Sequence, residues 1–422
     1  MNKTYPHTNE VFDIVTKTTN LGITCRTVSD ETLHDRNITV GDRPVINFAS
    51  CSYLGLEFDS RLKNATIEAT QKYGTQFSTS RSYLSVTPYK ELEELLSQLF
   101  GYPTIAAPST TMAHFACIPT LVGRKDLIII DQQAHSSIQN AVKLAVANGT
   151  EFQVVRHNRM DYLEQMLKKY NGQYEKIWYM ADGIYSMYGD VAPLEDLEYL
   201  LNKYPFFHLY IDDAHGMSWM GKNGVGYVLN EMDLHPQMIM LTSLNKSFSA
   251  AGGAIVCPNK EVERSIRYCG PTLMFSGPIQ PPMLGAAIAS AKIHMSDEIN
   301  EMQNELQDNM RFCLDLVNEY NLPLLSKGSS PIFFIGIGQF EHGQHIVKIL
   351  QEKGFFTSLG GYPSVPINRT GVRITINRNH KKADIYRLIA TLSNELHLLL
   401  MQQGFDVTHL YKKLKLQPKV KV

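Results

Sequence analysis

Three apolar runs of strand length each end on side chains that can do chemistry. His208–Ile211 leads into Asp212-Asp213-Ala214-His215-Gly216, and Met238–Thr242 into Ser243-Leu244-Asn245-Lys246-Ser247. Leu127–Ile130 leads into Asp131-Gln132-Gln133-Ala134-His135-Ser136-Ser137. Open α/β sheets bind their ligands outside the carboxyl ends of the strands. A lysine, a carboxylate and imidazoles so placed match the needs of pyridoxal phosphate. That cofactor takes a Schiff-base amine, an acid facing its ring nitrogen and small donors for its phosphate.

Each residue also has a plainer reading. Lys246 precedes the small-residue loop Ala250–Gly253, which leaves room for a cofactor, yet it is one of 40 Lys and Arg residues and fits an ordinary surface position. Asp212 ends a buried strand, where a carboxylate costs several kcal/mol without a cation, and a pyridinium would be one. Asp213 is its rival. An acidic pair there also suits magnesium in phosphate transfer, but the GxxxxGK[ST] loop of that chemistry is absent. His215 can reach a phenolic oxygen or serve its loop; His135 can stack on a ring, with Ser136 only a helix cap. Ser109, Thr110 and Thr111 open a helix, so hydroxyls, backbone N–H groups and the helix dipole could hold a phosphate, or simply cap the helix. Ser186, after Asp182-Gly183-Ile184-Tyr185, reads alone as a turn residue.

The elements that position these groups alternate. Strands are expected at 45–50, 127–130, 152–155, 177–180, 208–211, 238–242 and 254–257, with helices at 59–73, 88–100, 112–121, 136–148 and 160–170. The pattern predicts an α/β architecture: a large domain with a mostly parallel sheet and helices on both faces. Beyond Pro281-Pro282 a long helical stretch, 283–320, precedes a smaller C-terminal α+β domain with strands at 332–337 and 372–376 and helices at 345–353 and 382–402. The expected division is an N-terminal arm over 1–45, a large domain over 46–290 and a small domain over 291–422.

Composition narrows the class. With 422 residues and 44% hydrophobic content the chain can bury a large core. A net charge of -1 speaks against nucleic acid as partner. Lys412-Lys413-Leu414-Lys415 and Lys419-Val420-Lys421 read as a solvated basic tail. The six cysteines form no CxxC pair, so no metal site is expected and the thiols should be reduced. Residues Met1–Glu10 lack a signal-peptide core and no run approaches the roughly 18 apolar residues of a membrane span. A cytoplasmic protein without a membrane span is expected.

In order and spacing, the segments Ser50–Leu56, Asp131–Ser137, Asp182–Asp190, Asp212–Gly216 with Gly221 and Gly224, Ser243–Gly253, and Arg373 with His380 resemble the α-oxoamine synthases. These are acyltransferases among the fold-type-I pyridoxal-phosphate enzymes, and the similarity runs from about Phe48 to His380. It implies that Lys246 is the Schiff-base lysine and later the base for the substrate's α-proton. Asp212 would pair with the pyridinium, His215 and Ser186 would contact the phenolic oxygen, and His135 would stack on the ring. Ser243 falls at a phosphate-binding threonine, Thr110-Thr111 at a Gly-aromatic pair, and Arg373 at the arginine that holds the amino acid's carboxylate. Phe275-Ser276-Gly277 resembles the segment that reaches the neighbouring subunit's phosphate, which implies a homodimer with shared sites.

The chain also departs from that pattern. The asparagine that helps to hold the carboxylate is missing from Ser50-Cys51-Ser52-Tyr53, where Cys51 and Ser52 take the two matching positions. The glycine-rich loop is Thr75-Gln76-Phe77-Ser78-Thr79 here, a later glycine is replaced within Tyr83–Thr87, and Phe275–Pro282 carries an extra residue. The activity implied is condensation of an α-amino acid with an acyl thioester, from coenzyme A or an acyl carrier protein, with loss of carbon dioxide, giving an α-amino ketone. The alternatives are an aminotransferase or aldolase-type enzyme with the same cofactor, and an inactive partner subunit of a related synthase.

Overall fold

The structure is a computed structural model that describes residues 9–326 and 328–417. The expectations placed on residues 1–8 and on Lys419-Val420-Lys421 lie outside the described residues. Two short strands come first, β1 (Asn37–Val40) and β2 (Arg43–Asn47). Then follow β3 (Thr104–Ala107), β4 (Leu127–Asp131), β5 (Glu151–Val155), β6 (Ile177–Asp182), β7 (Phe207–Asp212), β8 (Met238–Ser243) and β9 (Gly253–Val256). Last are β10 (Ile332–Gly338), β11 (Phe355–Phe356), β12 (Ser358–Gly360) and β13 (Thr370–Thr375). The chain divides into two compact units, one of residues 54–186 and 191–304, the other of residues up to 53, 187–190 and from 305 onward.

The larger unit is built on a seven-stranded sheet in the order β3-β9-β8-β7-β6-β4-β5. Its pairs are parallel except those of β9, which runs against both neighbours. Its central strands are apolar on both faces, as a parallel sheet covered by helices requires. Alternate residues feed two cores. Ile129, Tyr179, Leu209, Ile211 and Met240 pack with Leu96, Leu163, Leu200 and Leu284 from the helices Thr87–Phe100, Met160–Tyr170, Leu194–Lys203 and Pro281–His294. On the opposite face Ile128, Ile130, Met180, Tyr210 and Leu241 meet Ala113, Cys117, Ile138 and Val142 from the helices Thr110–Leu121 and Ser136–Ala147. The period of two along each strand creates that division.

The smaller unit holds two three-stranded sheets, β1-β2-β11 and β10-β13-β12. β10 and β13 pair antiparallel and are buried along their whole length, in keeping with the apolar runs at 332–337 and 372–376. Arg373 is the one charged side chain of β13 and lies opposite Phe334 of β10 and Ser358 of β12.

Two sequence expectations change. The helical stretch 283–320 is interrupted: helices span Pro281–His294 and Glu298–Glu319, and between them the Ser296 hydroxyl donates to the carbonyl of Ile293 at 2.7 Å. A serine that bonds a helix carbonyl competes with the next helical turn. The expected solvated tail at 412–415 is largely helix, Val407–Leu414, with Leu410, Tyr411 and Leu414 buried. Its lysines alternate with an apolar stripe, so charge alone was a poor guide there.

Candidate active site

The carboxyl ends of β4, β6, β7 and β8 surround a cavity of about 190 Å³ in the larger unit. Its walls come from the loops that follow those strands and from the start of the helix Thr110–Leu121. Ser109 is that helix's N-cap and accepts the Met112 N–H at 3.1 Å. The backbone of the first turn, at Thr110 and Thr111, therefore opens on the cavity with N–H groups that have no helical partner. Gly253 keeps β9 against this turn: a Cβ there would lie 2.7 Å from the Thr110 nitrogen. Ser243, the last residue of β8, adds a hydroxyl to the lining.

Lys246 sits three residues past β8, half-buried, in a loop held shut by the Leu244 N–H to Gly252 carbonyl bond of 3.0 Å and by Asn245 Oδ1, which accepts the Gly252 N–H at 2.6 Å. Gly252 has φ of +120° there, a conformation open to glycine. Lys246 and Asn245 both line the cavity.

Two adjacent strand ends supply two carboxylates. Asp182 and Asp212 are register partners of β6 and β7, and both are buried and line the cavity. Asp212 Oδ1 accepts the Ala214 N–H at 3.0 Å, and Oδ2 lies 3.0 Å from Nε2 of His114. Burial opposes its charge, but the bond and charge of His114, with Lys246 and His135 behind them, hold this carboxyl below the usual range. Asp182 goes the other way, pushed well up by burial and then by the charge of Asp212. Adjacent carboxylates in a dry site split in this manner, one ionised and one protonated.

His135 is the N-cap of the helix Ser136–Ala147 and takes the place expected for Ser136, which is the first helical residue. Its Nδ1 accepts the Ser137 N–H at 3.3 Å and lies 2.6 Å from the Ser137 hydroxyl, so the ring proton sits on Nε2. Its backbone N–H donates to Asp182 Oδ1 at 3.0 Å. Burial lowers its pKa, Lys246 adds to that and Asp212 opposes it; the imidazole is neutral at pH 7.

Asp213, the rival to Asp212, is fully buried inside its own turn. Its Oδ2 accepts the Val228 N–H at 3.0 Å, and a Cβ on Gly183 would lie 2.6 Å from its Oδ1. Gly216 and Gly226 leave room for the same carboxyl. Burial first, and then Asp212, push its pKa well up.

In the smaller unit, Arg373 Nη2 lies 3.9 Å from Cys51 Sγ. The segment that carries Cys51 and Ser52 is tied to the loop after β13. The Arg378 N–H donates to the Tyr53 carbonyl at 2.8 Å, and Asn377 Nδ2 donates to the Ser52 carbonyl. His380 stacks on Phe48 at 4.0 Å between ring centroids and donates from Nε2 to the Asn47 carbonyl at 2.9 Å. It accepts the Asn377 N–H on Nδ1, and burial pushes its pKa down to about 4.

The sequence pattern of the family described as aminotransferase class I and II matches residues 43–392. The chain belongs to that family. An 8-amino-7-oxononanoate synthase of Symbiobacterium thermophilum is 31% identical over 360 residues, 84% of this chain and 89% of that protein. A serine palmitoyltransferase of Bacteriovorax stolpii is 30% identical over 352 residues, 82% of this chain and 81% of that protein. Among solved structures, a serine palmitoyltransferase from S. paucimobilis with bound PLP and myriocin superposes with a TM-score of 0.85 at 22% identity, over 93% of this chain and 98% of that one. The 8-amino-7-oxononanoate synthase of Francisella tularensis gives 0.71 at 23% identity, over 84% and 98%. The fold is the fold-type-I fold of pyridoxal-phosphate enzymes.

For this aminotransferase class I and II member, Ser109, Thr110, Thr111, His135, Asp212, His215, Ser243 and Lys246 all reach one cavity. Ser186 lies two residues beyond Ile184, a lining residue, and is not itself in the lining. Ser276 is half-buried beside the exposed Phe275 and also lies outside that lining. Arg373, Cys51 and Ser52 lie together in the smaller unit. Three residues were missed as site members: Asp182, Asn245 and His114. Asp182 carries the same signal as Asp212, an acid closing an apolar strand. Asn245 adjoins Lys246 in sequence. His114 is a lone histidine in the apolar helix Thr110–Leu121 and reads from sequence as core filling.

Proposed function

We propose that this protein condenses an α-amino acid with an acyl thioester, using pyridoxal phosphate held in the cavity of the larger unit. The observation that carries the reading is that Lys246 shares one cavity with an ionised, buried Asp212, a neutral His135 and a hydroxyl-bearing helix start. That donor set fits the cofactor: an amine for its aldehyde, an anion for its ring nitrogen, and N–H and hydroxyl donors for its phosphate. Bound there, pyridoxal phosphate supplies an electron-withdrawing ring that stabilises negative charge at the amino acid's α-carbon.

Lys246 attaches the cofactor and moves the α-proton. Asp212 faces the ring nitrogen, Ser109, Thr110, Thr111 and Ser243 hold the phosphate, and His135 covers the ring face. His215 and Ser186 donate to the phenolic oxygen. Arg373 binds the amino acid's carboxylate through its planar fork, beside Cys51 and Ser52. The α-carbon then bonds to the thioester carbonyl, the thiol leaves, and the carboxylate departs as carbon dioxide while the α-carbon takes up a proton from solvent by way of Lys246, which gives an α-amino ketone. The thioester comes from coenzyme A or an acyl carrier protein. The protein works in the cytoplasm as a homodimer, with Ser276 of each subunit donating to its neighbour's phosphate. Its six cysteines without a disulfide suit a reducing compartment, and among the described residues no helix is long and apolar enough to cross a membrane.

The test is to reconstitute the purified protein with pyridoxal phosphate, record the visible band of the lysine-bound cofactor, and add amino acids with thioesters of graded chain length. Free thiol and carbon dioxide should be released together, and Lys246→Ala should lack both the band and turnover. Oxo-acid or aldehyde formation without thiol release would make it an aminotransferase or an aldolase-type enzyme. Turnover only beside a second protein would make it a partner subunit. Sedimentation should report a dimer.

A further inference from the structure

The helix Thr110–Leu121 lies on the sheet face to which Tyr210 and Asp212 both point, because residues two apart on a strand share a face. His114 bridges them. Its Nε2 is 3.0 Å from Asp212 Oδ2 and its Nδ1 is 2.9 Å from the Tyr210 hydroxyl, and neither His114 nor Tyr210 has any exposed surface. The buried thiol of Cys117, one turn along the same helix, is a further neighbour of Tyr210. Burial, with the neighbouring Cys117 and Asp212, pushes the phenol's pKa well up, so it keeps its proton.

The Asp212 carboxylate fixes the direction of its own bond. Asp212 is the acceptor at one end, so Nε2 of His114 carries the hydrogen. With that hydrogen on Nε2, the 2.9 Å contact of Nδ1 with the Tyr210 hydroxyl completes a chain from Tyr210 through His114 to Asp212. The other groups around Asp212 are Asp182 from β6, Asp213 and the Ala214 N–H from its own turn, His135 from the loop after β4 and Lys246 from the loop after β8. Asp182 and Asp213 disfavour its charge, whereas Lys246 is the group a bound cofactor would consume. His114 is thus the side chain that supports the Asp212 anion from the core, independently of what fills the cavity.

The geometry points to His114, held in orientation by Tyr210, as the positioning residue that keeps Asp212 ionised and so makes the site select a cofactor ring whose nitrogen carries a proton. This rests on the reading of the cavity as a pyridoxal-phosphate site. The sequence motifs place nothing at 114, and the role comes from the two bonds of its ring.

The experiment compares binding of two compounds to full-length apo protein by equilibrium titration. One is pyridoxal phosphate; the other is its analogue with a carbon in place of the ring nitrogen. Wild type should prefer the natural cofactor by roughly tenfold or more, the value of one charge-assisted hydrogen bond. His114→Leu should bring the two affinities to near parity. His114→Gln, whose amide can donate to Asp212, should keep the preference within about twofold, and Tyr210→Phe should lower it by an intermediate factor. A residue that only filled the core would weaken both affinities equally and leave the ratio intact, so a folded His114→Leu protein with the wild-type ratio overturns the inference. If His114→Leu does not fold, an unchanged ratio in Tyr210→Phe overturns it instead. Wild type that takes up neither compound would sink the cofactor reading itself, a separate outcome.

Discussion

The cavity at the strand ends of the larger unit and the arginine strand of the smaller unit both hold charge away from water, by different means. In the cavity, each carboxyl group meets backbone N–H groups from the loop or helix that follows β7, Ala214 for Asp212 and Val228 for Asp213, and Asp212 adds an imidazole, His114, from the helix Thr110–Leu121. Around Arg373 the neighbours come from far along the chain, with Cys51 separated from it by 322 positions and meeting it through a 3.9 Å contact with sulfur. The first region is finished by its own chain, as a cofactor site retained through every turnover should be. The second places a buried guanidinium among groups from distant segments, Cys51 and Tyr53.

The largest test attacks the finished region away from its reacting groups. Gly226 has φ of +99°, and a Cβ on it would overlap the buried Asp213 carboxyl. Gly226→Ala should cost about 4 kcal/mol through backbone strain and overpacking together, read as a fall in the urea midpoint. A loss below about 1 kcal/mol would mean that the turn after β7 is looser than its contacts indicate. Next in size is Arg373→Lys. Losing the planar fork should raise the KM for the amino acid roughly thirtyfold, with the visible cofactor band and the melting temperature unchanged. If the band moved and KM did not, the distinction between the two regions would fail.

The strand-end residues were legible because a buried apolar run followed by a polar loop has one physical meaning in a parallel sheet. Lys246, Asp212 and His135 followed from that rule, and Asp182 obeys it equally. The helix Met160–Tyr170 and the helix Lys382–Gln402 were readable to the residue from their apolar spacing. His114 was not, since its value lies in two partners on another element, and a single sequence records no pairings. The helix break at 295–297 was hidden because the apolar periodicity continues on both sides of it. The environment of Arg373 was visible only as a list of departures around Cys51 and Ser52, because segments more than 300 positions apart assemble it.

A smaller effect separates the regions by pH. Burial and Asp212 raise the folded pKa of Asp213, so above the unfolded value of about 4 the folded state binds more protons than the unfolded one. Stability from this group is therefore complete below about pH 4 and falls as pH rises toward the folded value, by about 1.4 kcal/mol per pH unit while the difference of one proton lasts. Asp212, whose folded value is depressed, has the opposite sign: its contribution is present above about pH 4 and is lost in acid. Asp213→Asn should flatten the decline of the urea midpoint as pH rises above the unfolded carboxyl's value of about 4. An unaltered slope would show that Asp213 is ionised in the folded protein.

The smallest effect is expected at Cys51. If the thiol is only a weak neighbour of Arg373, replacing sulfur by oxygen alters one long contact and little else. Cys51→Ser should change the KM for the amino acid by less than about threefold, within the range of one weak hydrogen bond. Cys51→Asn is the sharper substitution, since its amide could add a second donor for a carboxylate beside the guanidinium and should lower that KM. The two variants together ask whether the position contributes by its size or by its hydrogen bonding. A large loss of turnover in Cys51→Ser, at unchanged KM, would move this thiol from the substrate's surroundings into the chemistry, and the smaller unit would then hold a reacting group of its own.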